Sequence, residues 1–405
     1  MTAAQATPPT TRWRAAIVAL LLGVIAALYI GKLPPAIPAL RGELSLSLAQ
    51  SGAMVSAFNT LGMLASIFMG LIAARLGAWQ LCMTGLASLA AGGVIGALAA
   101  GAPMLLASRF LEGAGFLSIV VAAPGLIMLS TAVRDRRRVF SFWGAYMPAG
   151  TTLGMLLAPL VLESWGWRAL WLAGSACALA ALATLAALRA DFPQPHQDGP
   201  RSWRASAAPL KAAGPWWIAL AFGCYAFNYY AIMVWLPTFM VGERGTPLGL
   251  ASLLTAIMVA ANIPGNLLGG VLLQRGFARG TNVCLAAVAT ALTCAIAFAP
   301  ALPDGVRYLG CVAFSFAVGV LPGSVMSAAQ THARSPAQVG TVQGMINQGS
   351  NLGQFASPLL VTAVVGAALA WDRMLYLLLA SSVVIFVSGL AIRIVEARIV
   401  DAPGR

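Results

Sequence analysis

Arg109 and Glu112 stand three residues apart in a stretch, 76–133, that holds no other charge. On a helix, positions i and i+3 share a face. An ionisable side chain inside a long apolar run is costly to keep, which makes each of the two a functional candidate. Arg109 could attract an anionic solute or bias the proton affinity of Glu112. Glu112, the one carboxylate so placed, could carry a coupling proton. The same couple could instead neutralise itself and brace its helix. Lys32, in Gly31-Lys32-Leu33-Pro34-Pro35, reads as ending the first apolar run and reaching toward the interface. The alternative is a cationic rim at an outer mouth.

Uncharged polar and aromatic side chains add to this couple. Tyr225, Asn228, Tyr229 and Ile232 fall at i, i+3, i+4 and i+7, one stripe of a helix. Gln343, Asn347 and Asn351 recur every four residues as an amide face, joined by Tyr29, Asn59, Trp143, Tyr146, Asn262 and Phe314 from other runs. Pockets for small molecules are mostly apolar and aromatic with a few polar groups. The candidate substrate-binding residues are therefore Arg109, Tyr29, Asn59, Tyr146, Tyr225, Asn228, Tyr229, Asn347 and Asn351, with Glu112 as the coupling residue. Each amide could equally bridge helices, and each tyrosine could serve packing or an aromatic belt.

The elements that must position these residues are legible from charge spacing. Twelve runs of seventeen or more residues contain no Asp, Glu, Lys or Arg, from 15–31 to 374–392. A bilayer core is about 30 Å thick and needs about 20 apolar residues per helix. With 9% charged and 60% hydrophobic residues, the chain falls outside the range of soluble domains, and strand-period alternation is absent. An all-α membrane protein of twelve transmembrane helices follows.

The net charge of +13 is not a nucleic-acid footprint. Alternating the runs from a cytoplasmic N-terminus places seventeen Lys/Arg inside and six outside, with Arg109 within a span. That asymmetry orients both termini to the cytoplasm. The run Arg134-Asp135-Arg136-Arg137-Arg138 reads as a solvated loop anchoring to anionic headgroups. Six cysteines lie inside apolar runs without ligand spacing, and His332 reads as a loop residue at the end of span ten, so no metal, cofactor or disulfide framework is expected.

The longest polar stretch, 189–211, divides the chain into an N-terminal six-helix bundle (1–188), a cytoplasmic linker (189–213) and a C-terminal six-helix bundle (214–405). The halves echo each other at a period near 200. Gly70-x-x-x-Ala74-Arg75 answers Gly270-x-x-x-Gln274-Arg275, and Arg109-Phe110-Leu111 answers Arg307-Tyr308-Leu309. Gly150, Gly154 and Pro159 answer Gly349, Gly353 and Pro358, and Trp167-Arg168 answers Asp372-Arg373. Two parallel six-helix repeats are a known transporter plan. Gly-x-x-x-Gly pairs let helix backbones approach closely.

With Gly70, Arg75 and Gly77 in the 2–3 loop, Arg109, Gly113 and Gly115 in span four, and Trp165-Gly166-Trp167-Arg168 before span six, the chain resembles the major facilitator superfamily over essentially its whole length. Its general look is loosely similar to the bacterial cyanate and nitroimidazole permease group. The resemblance implies the major facilitator fold, with spans one, four, seven and ten lining a cavity. The family's loop Asp, which clasps the two halves, is Ala74 here, with Gln274 at the matching place.

These readings lead to a secondary active transporter moving a small solute, a small anion or weak acid, by alternating access. The rival is a proton-coupled multidrug or metabolite efflux pump. A membrane-embedded enzyme would need a cluster of His, Asp, Glu or Cys at depth, which two histidines and one buried carboxylate do not supply. Expected partners are a small-molecule substrate and the lipid bilayer, with no nucleic acid and a monomeric state. The Arg- and Ala-rich composition suggests a bacterial inner membrane.

Overall fold

A computed structural model describes residues 10–192, 207–333, 336–366 and 368–400. Most of the polar connector (193–206) lies outside the described residues. Fifteen α-helices account for the fold: α1 (Trp13–Gly31), α2 (Leu33–Leu44), α3 (Leu48–Leu76), α4 (Ala78–Ala97), α5 (Ala102–Ser130), α6 (Val133–Trp143), α7 (Tyr146–Ala187), α8 (Ala213–Arg244), α9 (Leu248–Ala260), α10 (Asn262–Gln274), α11 (Arg279–Phe298), α12 (Asp304–Val325), α13 (Ala328–His332), α14 (Pro336–Val365) and α15 (Met374–Val400).

Ten helical stretches among the described residues are long and apolar enough to cross a bilayer. One of them, α7, has 42 residues. At 1.5 Å per residue it would be about 63 Å long, twice a bilayer core. Gly166 breaks it, with φ +75° and ψ 177°, so α7 supplies spans five and six. The remaining crossing, α14, which would be span eleven, has the length but carries Gln343, Asn347, Gln348, Asn351 and Gln354, which lower its apolarity. The expected twelve crossings are all present.

Gly166 has a counterpart two hundred positions on, Gly366, with φ +64°; Gly77 (φ +82°) is matched by Gly276 (φ +88°). Left-handed backbone favours glycine. The repeat seen in side-chain types is thus also written in where the helices stop.

The chain forms two compact units. One gathers 1–61, 68–200 and 245–256, and the other gathers 62–67, 201–244 and 257–405. In the first, α1 packs along α7 and α5, and α4 packs between α5 and α7. In the second, α8 packs along α14 and α15, and α12 packs on α10 and α11. Both units rely on helices that nearly touch. A methyl group at Gly150 would strike the Val24 carbonyl, and one at Gly349 would strike that of Ala219. Gly31 and Gly353 meet the Thr151 and Gly223 carbonyls in the same way. These are the small-residue contacts that replace hydrophobic burial as the packing force in lipid.

Candidate functional site

Lys32 does not end the first span. Its backbone is helical, φ −68° and ψ −26°, and its N–H continues the ladder to the Leu28 carbonyl at 2.9 Å. Pro34 and Pro35 fall in the first turn of α2, where a missing N–H costs nothing. The helical path therefore runs from Trp13 to Leu44, and Lys32 lies within it rather than at its edge. The expectation of an interfacial lysine is overturned: its side chain is 5% exposed.

Lys32 Nζ donates to Glu112 Oε1 at 2.7 Å. On the other carboxylate oxygen, Oε2, Glu112 accepts from Arg109 NH1. The same guanidinium nitrogen reaches the Tyr29 carbonyl at 3.1 Å. The intramembrane set is thus three residues, not the two expected, and all are buried: Lys32 4%, Arg109 1% and Glu112 0% exposed. With all three ionised it carries net +1. Burying charge is tolerable only where partners compensate for lost water, and three aromatic contacts contribute. Lys32 Nζ sits 4.2 Å from the Tyr29 ring centroid and 4.5 Å from that of Trp171, and the Arg109 guanidinium lies 4.4 Å over Phe58. The Tyr29 hydroxyl is buried without a hydrogen-bond partner. Gly174 leaves room beside it, since a methyl there would lie 3.5 Å from both that hydroxyl and Lys32 Nζ.

Two helices come together around this set because glycines permit it. At Gly113 on α5, any side chain would collide with the Phe58 backbone of α3. Arg109 and Phe58 are thereby brought face to face. Asn59, next on α3, is buried, and its amide nitrogen bonds only back to the Val55 carbonyl at 3.3 Å. Tyr146, at the start of α7, stacks on Trp143 at 4.4 Å, and together these rings pack where Gly23 of α1 leaves room.

In the second unit the residues of the predicted stripe lie on α8. Tyr225 stacks on Phe222 (5.2 Å) and Tyr229 (6.0 Å), and its hydroxyl meets Asn262 Oδ1 at 3.3 Å. Asn228 is fully buried and donates to Ser382 Oγ at 3.4 Å, while its Oδ1 has no partner. Along α14 the amides form a ladder, Gln343 Nε2 to Asn347 Oδ1 at 3.2 Å and Asn351 Nδ2 to the Asn347 carbonyl at 2.8 Å.

Two further clusters escaped sequence reading. At one end of the first unit Glu43 holds Trp167 Nε1 at 2.7 Å and also Arg168, and in the second unit Glu243 accepts from Trp371 Nε1 at 3.3 Å. The internal repeat could have exposed this pair, because Glu43 and Glu243 are two hundred positions apart. The equivalent of Trp167 is therefore Trp371, one place before the residue that alignment by charge selected. At the other end of the second unit, Arg279 binds Glu396 (2.8 Å), the Ser324 carbonyl (2.9 Å) and Thr331 Oγ1 (3.1 Å). His332, expected as a loop residue, ends α13 with its side chain buried, and its Nε2 lies 3.1 Å from Glu396. Arg307, by contrast, is paired near the start of α12, its side chain 20% exposed and beside Asp304.

Ten helical stretches of bilayer length and apolarity, one of them broken into two spans, together with a repeat of period near two hundred, define a membrane protein of the two-repeat class. The chain belongs to the Major Facilitator Superfamily, whose family model matches residues 16–358. It is a transporter, not an enzyme.

Among curated relatives it is 24% identical over 289 residues to SauU of Cupriavidus necator, named as a probable sulfoacetate transporter. That match covers 66% of this chain and 67% of the relative. It is 26% identical over 256 residues to NiaP of Bacillus subtilis, given the provisional name of a niacin/nicotinamide transporter. Here 59% of this chain and 61% of the relative are covered, so the chain matches about three fifths of that relative's length. Its fold is that of a bacterial homologue of the human lysosomal transporter Spinster, crystallised in an inward-facing, occupied conformation (TM-score 0.73, 17% identity, 97% of this chain and 99% of that one). The nucleoside transporter NupG is similar to the same degree (TM-score 0.72, 17% identity, 94% and 99% covered).

Proposed function

We propose that the chain is a secondary active transporter of a small anion, a carboxylate or related weak acid, working by alternating access in a bacterial inner membrane with both termini in the cytoplasm. The observation that carries this reading is the buried Lys32–Glu112–Arg109 set, with two cations to one carboxylate. A net +1 in a water-poor interior is costly, and an entering anion relieves it. Lys32 supplies the charge, and the unpartnered Tyr29 hydroxyl supplies a donor beside the room left at Gly174. In the second unit, the stripe of Tyr225, Asn228 and Tyr229 and the amides Asn347 and Asn351 are proposed as further substrate-binding residues.

The relatives support the same chemistry. Of the cargo in their names, sulfoacetate and niacin bear a carboxylate, whereas nicotinamide is neutral. The looser likeness to cyanate and nitroimidazole permeases also fits a small cargo. We take 1–188 and 214–405 as the two six-helix repeats and 189–213 as their linker.

Glu112 is proposed as the coupling group, on charge balance. A monoanion brings the set to zero with Glu112 ionised. A dianion such as sulfoacetate brings it to −1, and a proton on Glu112 then restores neutrality. Counterflow in proteoliposomes tests the substrate class, with sulfoacetate, niacin, neutral nicotinamide and an organic cation as solutes. Exchange confined to the anions is expected; exchange of the cation in preference to them would overturn the reading.

A further inference from the structure

The short helix α6 carries the basic run Arg134–Arg138, yet its opposite side is apolar, with Val139 buried and Phe142 exposed. Its start is tied down. Thr11 Oγ1 donates to Asp135 Oδ2 and accepts from the Ala132 N–H at 3.0 Å, and the Arg12 N–H binds the Ser130 carbonyl at 2.8 Å. Fixed in this way, α6 stands off α1 and leaves a groove of about 390 Å³. Its walls are Trp13, Ile17 and Leu20 on one side and Val139 and Phe142 on the other, with Ala16 as the floor and Arg138 at the lining.

In lipid, such a groove is filled by an acyl chain, and its charge indicates which kind. Asp135 is occupied by Thr11 and Arg134, whereas Arg138 is exposed and has no carboxylate partner among the described residues. The positive-inside rule assigns this end to the cytoplasmic leaflet, where anionic lipids are met, and Trp13 is the residue type that marks the headgroup level. We propose that the groove between α1 and α6 is a binding site for an anionic phospholipid, one acyl chain lying along Trp13, Ala16, Ile17 and Leu20 and the phosphate against Arg138.

The test uses the full chain, purified and delipidated, with phosphatidylglycerol or phosphatidylethanolamine added back and retention read by native mass spectrometry. Phosphatidylglycerol should be retained in preference. Arg138→Gln should weaken its retention about fivefold, the factor one basic residue contributes at an anionic surface, and leave phosphatidylethanolamine unchanged. Ile17→Trp, at a half-exposed position that tolerates the larger ring, should fill the groove and weaken both lipids. Arg398→Gln on α15, outside the groove, is the control and should do neither. Equal retention of the two lipids, an unaltered preference in Arg138→Gln, no effect of Ile17→Trp, or an equal loss in Arg398→Gln would each overturn the proposal.

Discussion

Lys32 and Glu112 are eighty positions apart in the chain and 2.7 Å apart in space, with both side chains withdrawn from solvent. The contact joins the first span to the fourth and makes Glu112 the shared partner of two cations. Removing any one member therefore has a sign that charge counting predicts.

Lys32→Met takes the set from net +1 to zero and should leave the fold intact, because Arg109 and Glu112 still neutralise each other. Glu112→Gln takes it to +2 and should destabilise by about 3–5 kcal/mol, the range for stranding a buried charge. The double variant returns to +1 but still leaves Arg109 without its carboxylate, so it should recover only the part of that loss that comes from Lys32. Thermal unfolding in detergent checks the order; equal melting temperatures for Glu112→Gln and Lys32→Met would contradict it.

How much of this was legible from sequence differs by feature. The twelve spans were plain, since the cost of charge in lipid spaces the charged residues. Arg109 and Glu112 stood out for the same reason. Lys32 did not, because Pro34 and Pro35 resemble a terminator. Yet 33–40 is an uncharged run that continues the helix beyond it, and that run was the available signal. Arg279 and Glu396 looked like ordinary cytoplasmic charges, for nothing in their local sequence shows that α11 and α15 bring them together. Gly166 and Gly366 were visible as letters, but their positive φ values needed coordinates.

Charge balance at Glu112 also predicts how coupling depends on cargo. Uptake of a dianion should speed up with an imposed inward proton gradient, and uptake of a monoanion should respond far less. Glu112→Gln should abolish the difference. Parallel uptake of sulfoacetate and niacin into proteoliposomes, with and without a pH step, reads this directly. An identical response for the two would remove Glu112 from the coupling role.

The glycine contacts give three contrasting substitutions. Gly353→Ala drives a methyl group into the Gly223 backbone, and Gly31→Ala does the same at Thr151. Each should cost about 1–3 kcal/mol, as overpacking does. Gly174→Ala, whose methyl meets only ordinary contacts at 3.4–3.5 Å, should fold normally and lose anion binding, because it fills the room beside Tyr29 and Lys32. Yields and melting temperatures of the three, with ligand-induced shifts, separate packing from binding.

Arg279 serves four acceptors at once, a fork that an ammonium group cannot reproduce. Arg279→Lys should therefore destabilise the second unit by about 1.5–3 kcal/mol, the value of a hydrogen bond to a charged group. Thermal unfolding within error of wild type would show that this cluster contributes little.

The most direct measurement of the central claim is carboxylate counterflow by Lys32→Met, reconstituted at the same density as wild type and shown to be folded. A loss of exchange with unfolding behaviour preserved is the predicted result. Exchange at the wild-type rate would mean that the buried ammonium takes no part in holding the anion.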